Sequence, residues 1–268
     1  MATSVENKRP QLEIKDITLT FRGIAALVDV SFEVERGSIC SLIGPNGAGK
    51  TSMLNCISGR YTPDKGRIQL DGRPLIGVPA HARTSLGLSR TFQNIALFKG
   101  LSVLDNLMVG RHSRMEYGLL AALFYHEACS RQEDAHRRRV EEVIDFLGLS
   151  PYRHKTAGKL PYGVQKRVEL GRALSAEPEL LLLDEPMAGM NLEETEDMAR
   201  YILDICEEWG TTVLLVEHDM GVVMDISDRV VVLDFGSVLA SGSPEQIQAD
   251  PGVIAAYLGT EDATFAGR

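Results

Sequence analysis

The chain has 268 residues, of which 44% are hydrophobic and 24% are charged, enough apolar material for one large domain or two small ones. Its 28 basic and 37 acidic residues give a net charge of −9, which argues against nucleic-acid binding, because such proteins normally present a basic surface. The polar first ten residues do not resemble a secretory signal, and no apolar run approaches the roughly 20 residues of a membrane-spanning helix, so we expect a soluble, cytoplasmic protein.

The first predicted elements are strands within residues 11 to 34, where apolar and polar residues alternate. The apolar series begins at Leu12 and includes Val28 and Val30. A period of two indicates antiparallel strands with one buried face. Further along the chain, Asp71-Gly72 is typical of a tight turn. We therefore expect an antiparallel β layer in this part of the chain.

The segment Gly44 to Thr51 reads G-x-x-x-x-G-K-T, the pattern of a phosphate-binding P-loop. The apolar run 38–43 precedes it and a helix-compatible run follows it, which is the context that the motif requires. Backbone N–H groups and a helix N-terminus would then face the phosphates. Lys50 is expected to reach the β- and γ-phosphates, and the Thr51 hydroxyl is expected to bind Mg²⁺. The predicted ATP-binding residues here are Gly44, Pro45, Asn46, Gly47, Ala48, Gly49, Lys50, Thr51 and Ser52.

Residues 102 to 148 have a different character, with a higher density of charge and apolar residues at helical spacing. Val140, Val143 and Leu147 show that spacing. We predict a mostly helical subdomain, about residues 100–175, inserted in the P-loop core. The basic run 131–139 is interpreted as a solvated helix face, because acidic residues flank it on both sides.

Three later apolar runs, Leu180–Leu183, Thr212–Val216 and Val230–Leu233, are predicted to be buried parallel strands. With the P-loop, they indicate an α/β fold, in which a P-loop NTPase core with a mixed sheet carries the N-terminal antiparallel β layer and the inserted helical subdomain. We expect residues 1–10 and 260–268 to be loose termini.

Two carboxylates, Asp184 and Glu185, end the first of these strands. Because side chains alternate along a strand, the two should point apart and serve different partners. We assign Asp184 to Mg²⁺ and Glu185 to polarising the water that attacks the γ-phosphorus. His218 follows the next strand and is placed to contact the γ-phosphate. With Glu185, the predicted catalytic residues are His218 and Lys50, which would stabilise charge on the γ-phosphate. Gln93 is a further candidate for Mg²⁺ and the water, supported by its order along the chain.

The segment that begins at Leu160 resembles the signature motif of ATP-binding cassette proteins, usually Leu-Ser-Gly-Gly-Gln. The order of P-loop, glutamine, signature, Asp-Glu pair and histidine also matches that family. The resemblance covers residues 11–258 and implies a single ATPase domain. It also implies head-to-tail pairs of subunits, in which each ATP lies between one subunit's P-loop and the other's signature. The predicted contacts to the partner's ATP are Leu160, Pro161, Tyr162, Gly163, Val164 and Gln165.

Several positions within the resemblance bear on the site. Phe21 matches the aromatic residue that stacks on adenine, with a core strand phenylalanine as the alternative. Pro161 replaces the serine whose hydroxyl contacts the γ-phosphate, which should cost on the order of 1–3 kcal/mol. Tyr162 and Val164 replace a glycine and a glutamine, and Asn191 stands where an aspartate is usual.

Further stretches, including 91–98, 101–107 and Gly118–Phe124, resemble the branched-chain amino-acid importer ATPases of the LivG type. This resemblance implies a Mg-ATP-hydrolysing subunit on the cytoplasmic face of the inner or plasma membrane. Its expected partners are a second ATPase subunit, identical or different, membrane permease subunits and, indirectly, a solute-binding protein, with no nucleic acid. The expected solutes are branched-chain or other hydrophobic amino acids, or related amides, urea and aromatic acids.

Alternative functions remain open from the sequence. They are the ATPase of a lipopolysaccharide-type exporter, a soluble cassette ATPase and a non-catalytic nucleotide-binding module. A soluble cassette protein would often carry two cassettes or a long coiled-coil insert, and neither is present. A GTPase would need a guanine-reading N-K-x-D element, and none is present.

Overall fold

A six-stranded sheet and a four-stranded sheet organise the structure. The computed structural model describes residues 10–91, 93, 95–114 and 127–258. The strands are β1 (Leu12–Phe21), β2 (Ile24–Val34), β3 (Ile39–Ile43), β4 (Lys65–Leu70), β5 (Arg73–Pro74), β6 (Leu88–Arg90), β7 (Leu180–Asp184), β8 (Thr212–Val216), β9 (Arg229–Asp234) and β10 (Ser237–Gly242). The α-helices of these ranges are α1 (Lys50–Ser58), α2 (Ala80–Arg83), α3 (Val103–Gly110), α4 (Glu127–Phe146), α5 (Tyr162–Leu174), α6 (Leu192–Glu207), α7 (Met220–Ile226), α8 (Pro244–Gln248) and α9 (Pro251–Leu258).

The six-stranded sheet has the order β10-β9-β3-β8-β7-β6. Its strands run parallel except β10, which is antiparallel to β9. Every residue of β3, β7 and β8 is buried, as expected for parallel strands covered on both faces. The three predicted buried strands lie within β7, β8 and β9, and the predicted mixed α/β fold is confirmed.

The four-stranded sheet has the order β2-β1-β4-β5 and is antiparallel, as predicted. The expected alternation fails in β2, where Leu27 is fully buried and Val28 is exposed. Ile17 of β1 pairs with Val30 of β2, and Leu19 of β1 pairs with Leu27 of β2. These pairs are two residues apart in β1 and three apart in β2, so β2 has one extra residue. Asp29, with a φ of 49°, accommodates this bulge, which moves the buried position by one residue.

Helices α3, α4 and α5 pack together around one apolar cluster. Leu107, Val143 and Leu147 in this cluster have no exposed surface. The helices lie within the predicted subdomain of residues 100–175, whose boundaries stay a prediction. The apolar segment Gly118–Phe124 and the predicted loose termini, apart from residue 10, lie outside the described residues. No described helix is both long and apolar enough to cross a bilayer.

The carboxyl ends of β3, β8, β7 and β6 lie side by side, because these strands are parallel neighbours. In open α/β sheets, ligands bind outside this edge. The P-loop follows β3, His218 follows β8, Glu185 follows β7, and Gln93 comes shortly after β6. The topology thus gathers residues that are far apart in sequence.

Candidate active site

The P-loop has the predicted strand–loop–helix form, with α1 beginning at Lys50. The Lys50 side chain is buried, and its Nζ donates to the carbonyl oxygens of Gly44 (2.6 Å) and Pro45 (3.0 Å). Gly44 has a φ of 147°, and a Cβ there would collide with the carbonyl oxygen of Leu233. Only glycine fits this position, which lets the loop turn tightly over the sheet edge. Thr51 is exposed at the start of α1.

Asp184 forms a buried ion pair with Arg90, a residue that no sequence motif indicated. The Arg90 Nη2 donates to Asp184 Oδ2 at 2.9 Å, and both side chains are almost fully buried. The Arg90 Nη1 donates to Asn55 Oδ1 and Ser58 Oγ of α1, each at 2.8 Å. Burial lowers the pKa of the Arg90 guanidinium, and Asp184 opposes that effect. Arg90 therefore connects Asp184 to the P-loop helix.

The second oxygen of Asp184 fits the predicted Mg²⁺ site. Asp184 Oδ1 is buried and has no hydrogen-bond partner among the described residues. Leaving such an oxygen without a partner is costly, and a cation would remove that cost. The Thr51 hydroxyl and the Gln93 amide would complete a set of hard oxygen donors, the type that Mg²⁺ prefers.

Glu185 lies between the other two predicted residues of this sheet edge, His218 and Gln93. Its Oε1 is 2.6 Å from His218 Nε2, and its Oε2 accepts a hydrogen bond from Gln93 Nε2 at 2.8 Å. Asp184 and Glu185 point to different partners, as expected. The cause is not strand alternation alone, because β7 ends at Asp184 and Glu185 has a left-handed backbone with a φ of 50°. A left-handed residue other than glycine or asparagine is unusual and clusters at functional sites.

Glu217 is a buried carboxylate that the sequence did not single out. Its Oε1 accepts from the Met187 N–H at 2.8 Å, and its Oε2 accepts from the His218 N–H at 3.0 Å. Burial raises the pKa of Glu217, while the two backbone N–H groups oppose that rise. Glu217 therefore ties the start of the His218 loop to the loop that follows Glu185. Its signal in the sequence was a charged residue directly after a buried strand and directly before the candidate histidine.

Lys166, on α5, was also missed. Its side chain is buried, and its Nζ donates to the carbonyl oxygens of Gln93 (3.3 Å) and Glu185 (3.2 Å). Burial lowers the pKa of the Lys166 ammonium, and the carboxylates of Glu169, Glu217, Glu185 and Asp184 oppose it. A lysine on a helix gives no sign in the sequence that it reaches carbonyls 73 and 19 residues away.

The signature segment forms the start of α5, where Pro161 is the N-cap and provides no side-chain cap. The Tyr162 hydroxyl donates to the Ala188 carbonyl oxygen at 3.2 Å. A Cβ on Gly163 would collide with the Glu194 carboxylate. Gln165 Nε2 donates to the Leu160 carbonyl oxygen at 2.8 Å. Within one chain, the signature thus packs on the loop after Glu185 and on the start of α6.

Asn191, where the family usually has aspartate, is the N-cap of α6. Its side chain accepts from the Glu194 N–H, and the Glu194 carboxylate accepts from the Asn191 N–H, which makes a capping box. Asparagine caps a helix about as well as aspartate. The substitution therefore keeps the local structure and removes one negative charge.

Phe21 lies at the end of β1 and is 41% exposed, so the alternative of a core phenylalanine is wrong. Its ring stands edge-on to the ring of Tyr61, with centroids 5.0 Å apart. An accessible aromatic face is what stacking on adenine requires. That role stays a prediction.

Comparisons with known proteins agree with this geometry. The family model described as ABC transporter matches residues 27–188, and the model described as branched-chain amino acid ATP-binding cassette transporter matches residues 237–263. The chain is 43% identical over 251 residues to the high-affinity branched-chain amino acid transport ATP-binding protein BraF of Pseudomonas aeruginosa, covering 94% of this chain and 98% of that protein. It is 40% identical, with the same coverage, to the corresponding protein LivG of Escherichia coli (strain K12).

Solved structures are similar as well. A nucleotide-free ATP-binding cassette from an ABC transporter has a TM-score of 0.82 and 30% identity, covering 94% of this chain and all of that chain. The ADP conformation of the cassette MJ1267 gives the same values. Both similarities extend over nearly the whole chain.

Proposed function

Because this chain belongs to the ATP-binding cassette transporter family, we propose that it is the ATP-hydrolysing subunit of an importer for branched-chain or other hydrophobic amino acids. The proposal places it on the cytoplasmic face of the membrane, held there by permease subunits. BraF and LivG, at 40% identity or more, are named for branched-chain amino-acid transport, which favours this over an exporter.

The observation that carries the catalytic proposal is the position of Glu185 between His218 and Gln93. The carboxylate is held by both side chains at the sheet edge that also carries the P-loop. From there, Glu185 orients the attacking water and accepts its proton. His218 keeps the carboxylate in place and lies where charge develops on the γ-phosphate. Catalysis is then mainly positioning and electrostatic stabilisation.

In this scheme, Lys50 would also stabilise charge on the γ-phosphate during hydrolysis. Its Nζ donates to the carbonyls of Gly44 and Pro45 in its own loop, and we expect a bound phosphate to compete for these two hydrogen bonds. Thr51, Asp184 and Gln93 would hold Mg²⁺, which would neutralise charge on the β- and γ-phosphates when bound. Asp184 is already oriented for this by Arg90.

The second half of the site is proposed to come from another ATPase subunit, identical or different. The N-terminus of α5 has no side-chain cap in this chain, so its first N–H groups can face an anion. Gly163 and the neighbouring signature residues would approach the partner's ATP there. Because Pro161 offers no hydroxyl to the γ-phosphate, closure of the pair should be weakened without being abolished.

The region from Gln93 to Gly110 is proposed to contact the permease. Phe98, Leu101 and Val109 are exposed apolar side chains in this region. A cavity of about 320 Å³ lies beside Val109 and Gly110, between the core and α5. Exposed apolar side chains beside a concave surface suit a protein interface. Amino-acid specificity would then belong to the permease and a solute-binding protein.

Replacing the catalytic carboxylate tests this function. Glu185→Gln should lower kcat for ATP hydrolysis by about 100-fold or more, since the amide cannot accept the proton. The variant should also form an ATP-dependent dimer that persists on size-exclusion chromatography. Glu208→Gln, at an exposed position after α6, is the matched control and should retain wild-type activity.

Near-normal turnover in Glu185→Gln would overturn the catalytic assignment. Transport is tested separately, by uptake of labelled leucine in cells whose own copy is replaced by either variant. Loss of leucine uptake with Glu185→Gln alone is the expected result. Unchanged leucine uptake in cells carrying an inactive Glu185→Gln protein would overturn the substrate class.

A further inference from the structure

The base of the signature helix reaches the catalytic loop of its own chain through Lys166. This residue lies one turn after Tyr162 on α5, and only 3% of it is exposed. Its Nζ donates to the Gln93 carbonyl at 3.3 Å and to the Glu185 carbonyl at 3.2 Å. These are the two residues whose side chains hydrogen-bond each other at 2.8 Å. Lys166 therefore joins the main chains of a pair that is already joined through its side chains.

The hydrogen bond to the Glu185 carbonyl holds the main chain of a residue with an unusual backbone conformation. Glu185 has a left-handed backbone, a conformation that is unfavourable for a residue with a Cβ and persists only where its surroundings hold it. Its N–H donates to the Val216 carbonyl at 2.9 Å, so β8 holds one side of the residue. On the other side, the Glu185 carbonyl accepts from Lys166 Nζ and, at 3.3 Å, from the Ala188 N–H. These bonds hold the main chain from which the carboxylate projects.

The same end of α5 makes a second attachment to this loop. The Tyr162 hydroxyl donates to the Ala188 carbonyl, and the Lys166 ammonium lies 5.9 Å from the centroid of the Tyr162 ring. Two side chains one helical turn apart thus fasten the first turn of α5 to residues 185 and 188. A movement of α5 would reach Glu185 through these bonds.

We infer that Lys166 is a positioning residue for ATP hydrolysis, which holds the main chains of Gln93 and Glu185 so that the Glu185 carboxylate reaches the attacking water. The inference rests on the proposed catalytic role of Glu185. It adds that the subunit's own signature helix sets the geometry of its own catalytic carboxylate. The state of α5, which also faces a partner's nucleotide in the proposed pair, then influences hydrolysis at this chain's P-loop.

The test compares Lys166→Met with Lys166→Arg in the full chain. Methionine keeps most of the buried volume and removes the donors, whereas arginine keeps a cation that can donate to both carbonyls. Lys166→Met should lower kcat by about 10- to 100-fold, because a small misplacement of a catalytic group is costly. KM for ATP should stay within about threefold, and Lys166→Arg should restore kcat to within about threefold of wild type.

Arg167→Met is the matched control. Arg167 lies on the same helix and also donates to a main-chain carbonyl, that of Leu147 at 3.3 Å, but in the helical subdomain. The Arg167→Met variant should be less stable in thermal unfolding, and its kcat per folded molecule should stay at the wild-type value in the ATPase assay. Equal kcat losses in Lys166→Met and Arg167→Met would overturn the inference, since they would show a general effect of destabilising α5.

Two further outcomes are decisive. If Lys166→Met does not fold, Lys166→Leu, which also lacks a donor, and Lys166→Arg carry the test, and equal kcat values in those two would overturn the inference. Glu185→Gln is assayed beside them. An inactive Glu185→Gln with a fully active Lys166→Met overturns this inference alone, whereas an active Glu185→Gln overturns the proposed catalytic role of Glu185 on which the inference rests.

Discussion

Two buried lysines, Lys50 at the P-loop and Lys166 on the signature helix, each donate to two main-chain carbonyls. The carbonyls bound by Lys50 lie five and six residues before it. Those bound by Lys166 lie 19 residues after it and 73 residues before it. The first arrangement is local, so a short motif encodes it. The second arises only when distant strands and helices meet.

The two lysines also differ in what their bonds can do. The two hydrogen bonds from Lys50 to the carbonyls of Gly44 and Pro45 stay within one loop. The bonds of Lys166 join α5 to the segments after β6 and β7. We therefore expect Lys50 to act on nucleotide binding and Lys166 to act on turnover.

The largest expected effect on ATP binding separates these two roles directly. Lys50→Met should weaken ATP binding by about 100-fold, equivalent to about 2.7 kcal/mol, because it removes a cation that contacts phosphate oxygens. Lys166→Met should change the same affinity by less than about threefold. Titration with a fluorescent ATP analogue measures both. A comparable loss of affinity in the two variants would contradict the assignment of Lys50 to nucleotide binding and of Lys166 to turnover.

The next prediction tests whether the fold around the P-loop also depends on a contact between residues far apart in sequence. Arg90→Met leaves Asp184 buried without its cation and should destabilise the fold by about 3–5 kcal/mol. The exposed pair of Arg200 and Asp197 is the control, and Arg200→Met should cost no more than about 1 kcal/mol. Urea unfolding of both variants gives the two values. A destabilisation under about 1 kcal/mol in Arg90→Met would show that the fold around the P-loop does not depend on the ion pair between Arg90 and Asp184.

The smallest effect concerns pH and Glu217, which links the two loops beside His218. Burial raises the pKa of Glu217 above its ordinary value of 4.5, so the folded chain holds this proton more tightly than the unfolded chain does. The resulting stability is complete below pH 4.5 and is lost as the pH rises through the raised pKa. Glu217→Gln has no such proton.

The stability of the wild type relative to Glu217→Gln should therefore fall as the pH rises. Urea midpoints of both proteins, measured from about pH 4 to about pH 8, give this difference. Groups that titrate in the same way in both proteins contribute equally to both stabilities, so they do not affect the difference. A difference that stays constant with pH would contradict a raised pKa for Glu217.

The sequence predicted the fold class and the residues at the ends of its buried strands. Asp184, Glu185 and His218 could be recognised because each lies at or just after the end of an apolar run, and parallel topology brings such strand ends together. The structure places Glu185 against His218 and Gln93, although the individual roles of these residues stay predictions.

Other features depended on geometry that sequence patterns do not carry. Glu217 and Lys166 act through main-chain atoms of distant segments, and main-chain atoms leave no residue-specific signal. The alternation in β2 predicted the wrong buried position at Val28, because a bulge at Asp29 shifts the register. Local patterns identify elements, whereas bulges and long-range bonds decide which atoms meet.

The contact between Gly163 and Glu194 has an evolutionary consequence. A Cβ at position 163 would collide with the Glu194 carboxylate, and that same carboxylate closes the capping box of α6. A Cβ at position 163 would therefore require the Glu194 carboxylate to turn away, at the expense of one bond of the helix cap. We therefore expect substitutions at positions 163 and 194 to be coupled, although the two positions lie 31 apart in the sequence.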